Sequence, residues 1–384
     1  MARSRGRVLA PALLVLVLAL LAPLPAPAHA VPPTVPVVPS ALPVGAAVKP
    51  PARLVDRDLV RAGKKAVRVG TATYYPQSLH RARGGYLVGS ARWGRGGRLV
   101  GHRVEIVSLA GNKRTVVAKS KYEPLQVASD GRTYIGAAER RDSKGRFTQG
   151  LVLRRHRVSD GQPVGRSLTI AGYPATITVT KSRVLMGYHP LNGKHNGKPR
   201  TVWWHTGTGR VRVVATAPRH PRGMAYGIQA SSLDARAFSV IKRNRQVVRD
   251  IRTGKRLWAT SAAEVVVTFS GDGKKALTFA DTLPVDPESE SDEFVARRLL
   301  VRNARTGRLL ATFTGIFDTL EYGSGTRWES NDTFLVHAYE RVNDPDVYPT
   351  PGGPATVRCR VSTATCQRVP ETSGLYGLWV RPHS

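Results

Sequence analysis

Cysteine is nearly absent. Two residues in a chain of 384 exclude a disulfide-rich scaffold and any zinc site built on several thiolates. Aromatic residues make up only 7%, and no stretch with helical periodicity exceeds two turns after the N-terminal segment, which excludes a helical bundle. Catalytic signatures are missing as well. There is no Gly-x-Ser-x-Gly elbow, no His-Glu-x-x-His helix and no phosphate-cradling glycine loop. Past about residue 22, no apolar run approaches the roughly 18 residues a membrane helix needs. What is present is 41% apolar residues together with 37 Gly and 27 Pro. That is too apolar for bulk disorder and favours a turn-dense chain of two or three domains, or one large all-β architecture.

The first 30 residues read as an address. Met1–Arg7 is basic, an apolar run continues from Val8 to about Ala22, and Ala28-His29-Ala30 offers small residues to a signal peptidase. This order is that of a secretory signal peptide, with cleavage expected after Ala30 and no lipid anchor, because no cysteine follows. Arg3, Arg5 and Arg7 are not adjacent, so the twin-arginine signal is absent. The expected location is extracellular or at the cell envelope, with no transmembrane segment in the mature chain. Residues 31–52 carry seven prolines and are expected to be an extended spacer, leaving residues 53–384 as a single folded domain.

From about Arg53 the chain repeats itself. Tight turns recur at Ser159-Asp160-Gly161, Gly207-Thr208-Gly209-Arg210, Arg252-Thr253-Gly254-Lys255 and Arg305-Thr306-Gly307-Arg308, with weaker copies at Leu109–Asn112 and Ser362–Thr365. About 25 to 35 residues before each lies a second turn between apolar segments, as in VASDGRTYIGAA (127–138) and VVTFSGDGKKALTFA (266–280). The period of about 40 to 60 residues suits four-stranded propeller blades. One repeat predicts strands at Glu264–Ser270, Lys275–Ala280, Val295–Arg302 and Leu309–Thr314. A two-sheet sandwich does not account for six copies of this grammar.

These turns resemble those of WD-repeat-like and TolB-type propellers. Val248–Trp258 is similar to the tryptophan-docking repeat of quinoprotein propellers. The resemblance implies a β-propeller over roughly residues 80–370, and it specifies how blades turn and stack rather than a function. Six full repeats leave Leu375–Val380 and Arg53–Val69 over. These are expected to form a seventh, composite blade that closes the ring; the alternative is six blades with added pieces.

Cys359 and Cys366 flank the last blade's outer hairpin. A two-residue Ser362-Thr363 turn would place them directly opposite, and the four-residue register of the other blades diagonally. Either leaves them on one face, within reach of a disulfide. The candidate channel-lining strands offer mostly Ser, Thr, Gln and aliphatics, with His80, Glu264, Arg327 and Glu329 the only titratable side chains. No catalytic, cofactor or metal residues are assigned. The longest insertions, Ala91–His102, Glu139–Gly150, His189–Arg200, Asp281–Glu293 and Glu340–Pro354, all fall between second and third strands and so emerge on one face. Basic candidates for a ligand face are Arg92, Trp93, Arg95 and Arg98 in the first, and Lys194, His195, Lys198 and Arg200 in the third. Asp281, Asp286, Glu288, Glu290, Asp292 and Glu293 could hold Ca²⁺ but lack the spacing of a calcium loop.

Removal of residues 1–30 takes three arginines and no acid, leaving 56 basic residues against 26 acidic. Such a field attracts polyanions over a Debye length of roughly 8 Å at physiological salt. Arg outnumbers Lys 45 to 14, a balance that GC-rich coding also produces. The sequence therefore favours an exported, non-catalytic binding or scaffold propeller. It would act as a monomer, bind an envelope polyanion or a protein partner through the long-loop face, and have no specific nucleic-acid site. The alternative is a propeller enzyme, either a quinoprotein-like oxidoreductase or an extracellular hydrolase.

Overall fold

A computed structural model describes residues 31–48, 52–55, 59–62, 65–95, 99–144, 147–172, 174–188, 191–192, 195–196, 200–216, 228–242, 245–262, 264–284, 294–319, 326–340 and 355–370. The chain divides into Met1–Pro32 and one compact unit, Pro33–Ser384, which carries every strand. Among the described residues there are thirty strands, one 3-10 turn at Pro39–Ala41 and no α-helix.

The strands form a β-propeller. After β1 (Thr34–Pro36), a three-stranded sheet comprises β2 (Ala52–Val55), β3 (Leu59–Ala62) and β4 (Lys65–Arg68). Blade one is β5 (Tyr75–Ala82), β6 (Gly85–Trp93), β7 (Leu99–Ser108) and β8 (Lys113–Ser120). Blade two is β9 (Glu123–Val127), β10 (Thr133–Arg141), β11 (Phe147–Arg157) and β12 (Pro163–Ile170). Blade three is β13 (Ala175–Val179), β14 (Arg183–Tyr188), β17 (Arg200–His205) and β18 (Val211–Thr216), with a small ribbon of β15 (Leu191–Asn192) and β16 (His195–Asn196) between its second and third strands. Blade four is β19 (Ile228–Ser232), β20 (Ala237–Lys242), β21 (Arg245–Asp250) and β22 (Arg256–Ala259). Blade five is β23 (Glu264–Phe269), β24 (Lys275–Pro284), β25 (Phe294–Asn303) and β26 (Leu309–Asp318). Blade six is β27 (Arg327–Trp328), β28 (Thr333–Tyr339), β29 (Ala355–Arg360) and β30 (Thr365–Arg368). Strands within a blade pair antiparallel in chain order, and the first strands of successive blades lie against one another in series.

The alternation of apolar residues along these strands has two buried sides, because each blade is covered by the blade before and the blade after. The core is therefore a set of layers. Leu87, Val104, Val127 and Tyr134 fill the layer between blades one and two. Ile135, Leu153, Met186 and Trp204 fill the next, and Phe238, Val247, Leu185 and Trp203 the one after. Leu299, Phe313, Phe334 and Val357 fill the layer between blades five and six. Val60, Val67 and Val69 bury against Leu79, Tyr86 and Val107 in the same way, so the three-stranded sheet stands where a preceding blade would.

In blades one to five the turn between third and fourth strands is a socket for the blade or sheet before it. Gly111, Gly161, Gly209, Gly254 and Gly307 all have φ between 70° and 83°, the left-handed region that glycine occupies without penalty. Their missing side chains matter as much as their dihedrals. A Cβ added at Gly307 would lie 2.8 Å from the Trp258 ring, one at Gly254 2.8 Å from Val214, one at Gly161 2.1 Å from Val117, and one at Gly111 2.7 Å from the stem of Lys65. The Trp258 indole N–H also donates to the Ala304 carbonyl at 2.9 Å, which ties blade four to the turn of blade five. Trp203 makes the corresponding bond to Ile251 at 2.8 Å from a different strand.

One expectation is corrected. Residues 33–46 are not a bare spacer. Thr34–Pro36 pairs in parallel with Thr312–Thr314 at the outer edge of blade five, Val37 enters the core between blades five and six, and Pro43 and Gly45 bond to Arg368 at the outer edge of blade six. Polyproline and β dihedrals lie close together, so a proline-rich segment can lie along a sheet edge wherever its missing N–H faces outward. Of the two registers open to the cysteines, the structure has the direct one: Cys359 and Cys366 form a disulfide and are cross-strand partners, with the Ala364 N–H bonded to the Val361 carbonyl across Ser362-Thr363. The ladder stays in phase next to the turn; in blade five the irregularity falls one pair further in, between Val301 and Arg302. Leu375–Val380, the expected closing strand, and Ala30 lie outside the described residues.

Two outcomes test this packing. Gly84 has φ +78° with nothing within 4 Å of an added Cβ, so Gly84→Ala should cost about 1 kcal/mol of backbone strain. Gly307→Ala adds the collision with Trp258 and should cost roughly 1–3 kcal/mol more, read from urea midpoints. Val37→Asp should lower stability by at least about 2 kcal/mol, and an unchanged midpoint would restore the spacer reading.

Candidate functional site

The inner strands place their titratable side chains in structural pairs. Glu264, at the start of β23, is fully buried and bidentate with Arg302 of β25, at 2.6 and 3.0 Å. It also accepts from Thr278 at 2.7 Å and from Ser261 at 2.9 Å. Burial alone would push the Glu264 carboxyl up; Arg302, Thr278 and Ser261 outweigh it and hold it below the usual carboxylate range. Glu329 is held by Arg358 in the equivalent arrangement, at 2.6 and 2.8 Å. Burial lowers Arg327 to about 10 against the opposing pull of Glu329, and His80 is buried on β5. In blade one, Glu105 is fully buried between Arg103 at 3.2 Å and Lys113 at 3.7 Å, and it accepts from the Gly70 N–H. Among the described residues, no group of three or more His, Cys, Asp or Glu could hold a metal ion. Asp281 forms an ion pair with Arg298; Asp286, Glu288, Glu290, Asp292 and Glu293 lie outside the described residues.

At the other end of the strands, several expected loops turn out to be strand. Residues Ala91–Trp93 and Leu99–His102 continue the β6–β7 ladder, with Ala91 opposite His102 and Arg92 opposite Gly101. Glu139 and Arg141 likewise belong to β10, which pairs on to Phe147. Arg92 and Trp93 therefore stand on a rigid strand end and Arg95 just beyond it, all three exposed. Arg98, Lys194 and Lys198 lie outside the described residues. His195 sits in β16 opposite Asn192, and Arg200 opens β17 opposite Tyr188. The two basic groups thus belong to blades one and three.

What the strand ends do build is a cavity of about 500 Å³ between blades one and two. Its walls include Leu99, Val100, Gly101 and His102 from β7, Ala138, Glu139, Arg140 and Arg141 from β10, and Lys121 and Tyr122 from the connection between the blades. His102 is 5% exposed, and burial lowers it to about 4, which keeps the ring neutral near pH 7. The Lys121 ammonium lies 5.4 Å over the Tyr122 ring, and Arg141 pairs with Glu139 at 2.9 Å. Arg140 is exposed at the rim. Trp93, opposite Leu99, is 49% exposed, and Val100 is 50% exposed. The arrangement offers cations, an apolar shelf and a neutral imidazole: the chemistry of binding an anion with an apolar face. Sequence reasoning missed His102, Lys121 and Arg140 by treating 91–102 and 139–150 as loops. The signal was available in Leu99-Val100 and Ala137-Ala138, apolar residues that extend the strand patterns.

No known family and no curated protein matches the chain. Solved structures do. A prolyl endopeptidase structure has a TM-score of 0.51 at 12% identity, over 83% of this chain and 48% of that one. A eukaryotic initiation factor gives 0.45 at 10% identity, over 89% and 94% of the two chains. A chain of the mitotic checkpoint complex gives 0.42 at 11%, over 77% and 80%. The chain spans about half the length of the prolyl endopeptidase it matches. At these identities the likeness shows the fold alone, a β-propeller.

The Glu264–Arg302 pair has a measurable consequence. Its contribution is present above the ordinary Glu value of 4.5 and is lost as pH falls through the lower folded value. Arg302→Met leaves the carboxylate buried without its counter-charge, a loss of about 3–5 kcal/mol at pH 7. The deficit should shrink as pH is lowered through 4.5 and the carboxyl of the variant takes up its proton, measured by denaturant unfolding at constant salt.

Proposed function

We propose that the chain is an exported, non-catalytic binding propeller that recognises an anionic polymer of the cell envelope through the strand ends and loops of one face. The observation that carries this reading is the grouping of Lys121, Arg140 and Arg141 around one cavity whose single lining carboxylate among the described residues, Glu139, is already paired with Arg141, with Arg92 and Arg95 exposed at the same end of blade one. Export is supported by the basic-apolar-small order of residues 1–30 and by the disulfide, a bond that persists in oxidising compartments. A non-catalytic role is supported by the engagement of Glu264 and Glu329 with Arg302 and Arg358, which leaves these inner-strand acids committed to arginine. We also infer a ring closed by a seventh, composite blade. Lys65 seats on Gly111 as Val117 seats on Gly161, which supports reading β2–β4 as the outer strands of that blade.

Antiparallel pairing puts the turns that carry Arg252 and Lys255 at the opposite end of the blades from Arg92 and Arg95, and all four residues are exposed. On an anionic polymer column, Arg92→Ala with Arg95→Ala should elute at clearly lower salt than the wild type. Arg252→Ala with Lys255→Ala, which removes the same charge, should elute close to wild type. Equal shifts for the two double variants would reduce the binding to the overall field and sink the one-face reading.

A further inference from the structure

His102 lines the cavity between blades one and two at 5% exposure. Among the described residues no hydrogen bond or charge offsets the effect of burial on its ring. Apolar or small neighbours surround it: Ala138 and Val152 across the cavity and Gly101 beside it. A neutral imidazole carries one donor and one acceptor, and here it forms part of the wall of the recess.

The rim has a different chemistry. Arg140 and Lys121 are exposed cations. Val100, half exposed, lines the recess, and Trp93, also half exposed, stands beside it at the strand end opposite Leu99. A free phosphate would use the cations and leave the shelf and the imidazole idle. A hydrocarbon acid would leave the imidazole unsatisfied. A sugar bearing an acid group uses all three, because its hydroxyls pair with imidazole, its axial C–H face lies on indole, and its carboxylate meets guanidinium. A volume of about 500 Å³ lies within the range of small-ligand sites, roughly 300–1,000 Å³.

We propose that this cavity is a saccharide subsite that binds an acid-bearing sugar unit of an anionic polysaccharide, with His102 taking the sugar hydroxyls, Arg140 and Lys121 the acid group, and Trp93 the ring face. The proposal rests on the polyanion reading above and narrows it to one place and one ligand class.

The test is calorimetric titration of the full chain with three probes at equal salt: an oligogalacturonate, an uncharged maltohexaose, and a polyphosphate matched in charge to the oligogalacturonate. The oligogalacturonate should bind at least tenfold more tightly than either of the others. Arg140→Ala, Trp93→Ala and His102→Phe should each weaken it about tenfold or more. Arg308→Ala, which removes an exposed arginine from the turn end of blade five, should leave it within twofold. Should His102→Phe fail to fold, the two exposed substitutions, Arg140→Ala and Trp93→Ala, carry the test. Polyphosphate binding as tightly as oligogalacturonate, or equal losses in Arg140→Ala and Arg308→Ala, overturns the saccharide subsite and leaves the polyanion reading standing. Absence of binding to either anion overturns both.

Discussion

The propeller depends on one recurring contact, a side chain of one blade seated in the space that a glycine of the next blade leaves empty. The two halves of the contact constrain each other. The four-residue turn needs a left-handed residue, which favours glycine for dihedral reasons. The neighbouring blade then fills the vacancy with Lys65, Val117, Arg166, Val214 or Trp258, so the position becomes intolerant of a side chain for packing reasons too. A local turn preference is thereby converted into a distance between blades. The occupant can be a lysine stem in one blade and an indole in another because the socket specifies only apolar surface at contact distance.

Charge is subordinate to this packing. The chain holds 59 basic residues for 26 acidic ones, and the buried acids among the described residues are engaged: Glu105 with Arg103 and Lys113, and Glu264 with Arg302. At the turns the acids cap backbone as well. Burial would raise Asp250, yet the Thr253 N–H and hydroxyl, Arg305 and the Arg252 N–H hold it at about 2. Acids spent on the interior and on turns cannot neutralise the surface. A surplus of arginine therefore leaves strand ends and turns cationic, whether or not a given cation serves a ligand. This is why the site argument rests on where cations meet an imidazole and an indole, and why net charge alone decides nothing.

The blades were legible because their grammar is local. Turn glycines, two apolar hairpins per repeat and the four strands of the repeat at 264–314 follow from residue types within a few positions of each other, and the observed strands β23 to β26 begin within a residue of those expected. The site was less legible. A polar segment such as Glu139–Gly150 reads as loop by composition, but backbone hydrogen bonds to the partner strand carry the ladder to Arg141 and Phe147. His102 was hidden for the same reason. Its isolation is a property of two blades meeting, and nothing within ten residues of it announces that Ala138 and Val152 lie across the gap.

The N-terminal strap shows how far composition can mislead and why. Seven prolines between residues 31 and 52 suggest a chain that cannot join a sheet. In parallel pairing, residues alternate between facing the sheet and facing solvent. The Pro33 carbonyl accepts from the Thr312 N–H, and the Val37 N–H donates to the Thr314 carbonyl. Pro33, Val35 and Val37 therefore present their backbone to blade five, while Thr34 and Pro36 turn theirs outward. Pro36 withholds a donor only from the solvent edge. Blade five thus gains a covering strand whose own free edge is poor at recruiting another. Further along, the Pro43 carbonyl and Gly45 N–H use the same alternation on Arg368. A segment built to resist pairing on one side is suited to terminate a sheet, and here it does so for two adjacent blades.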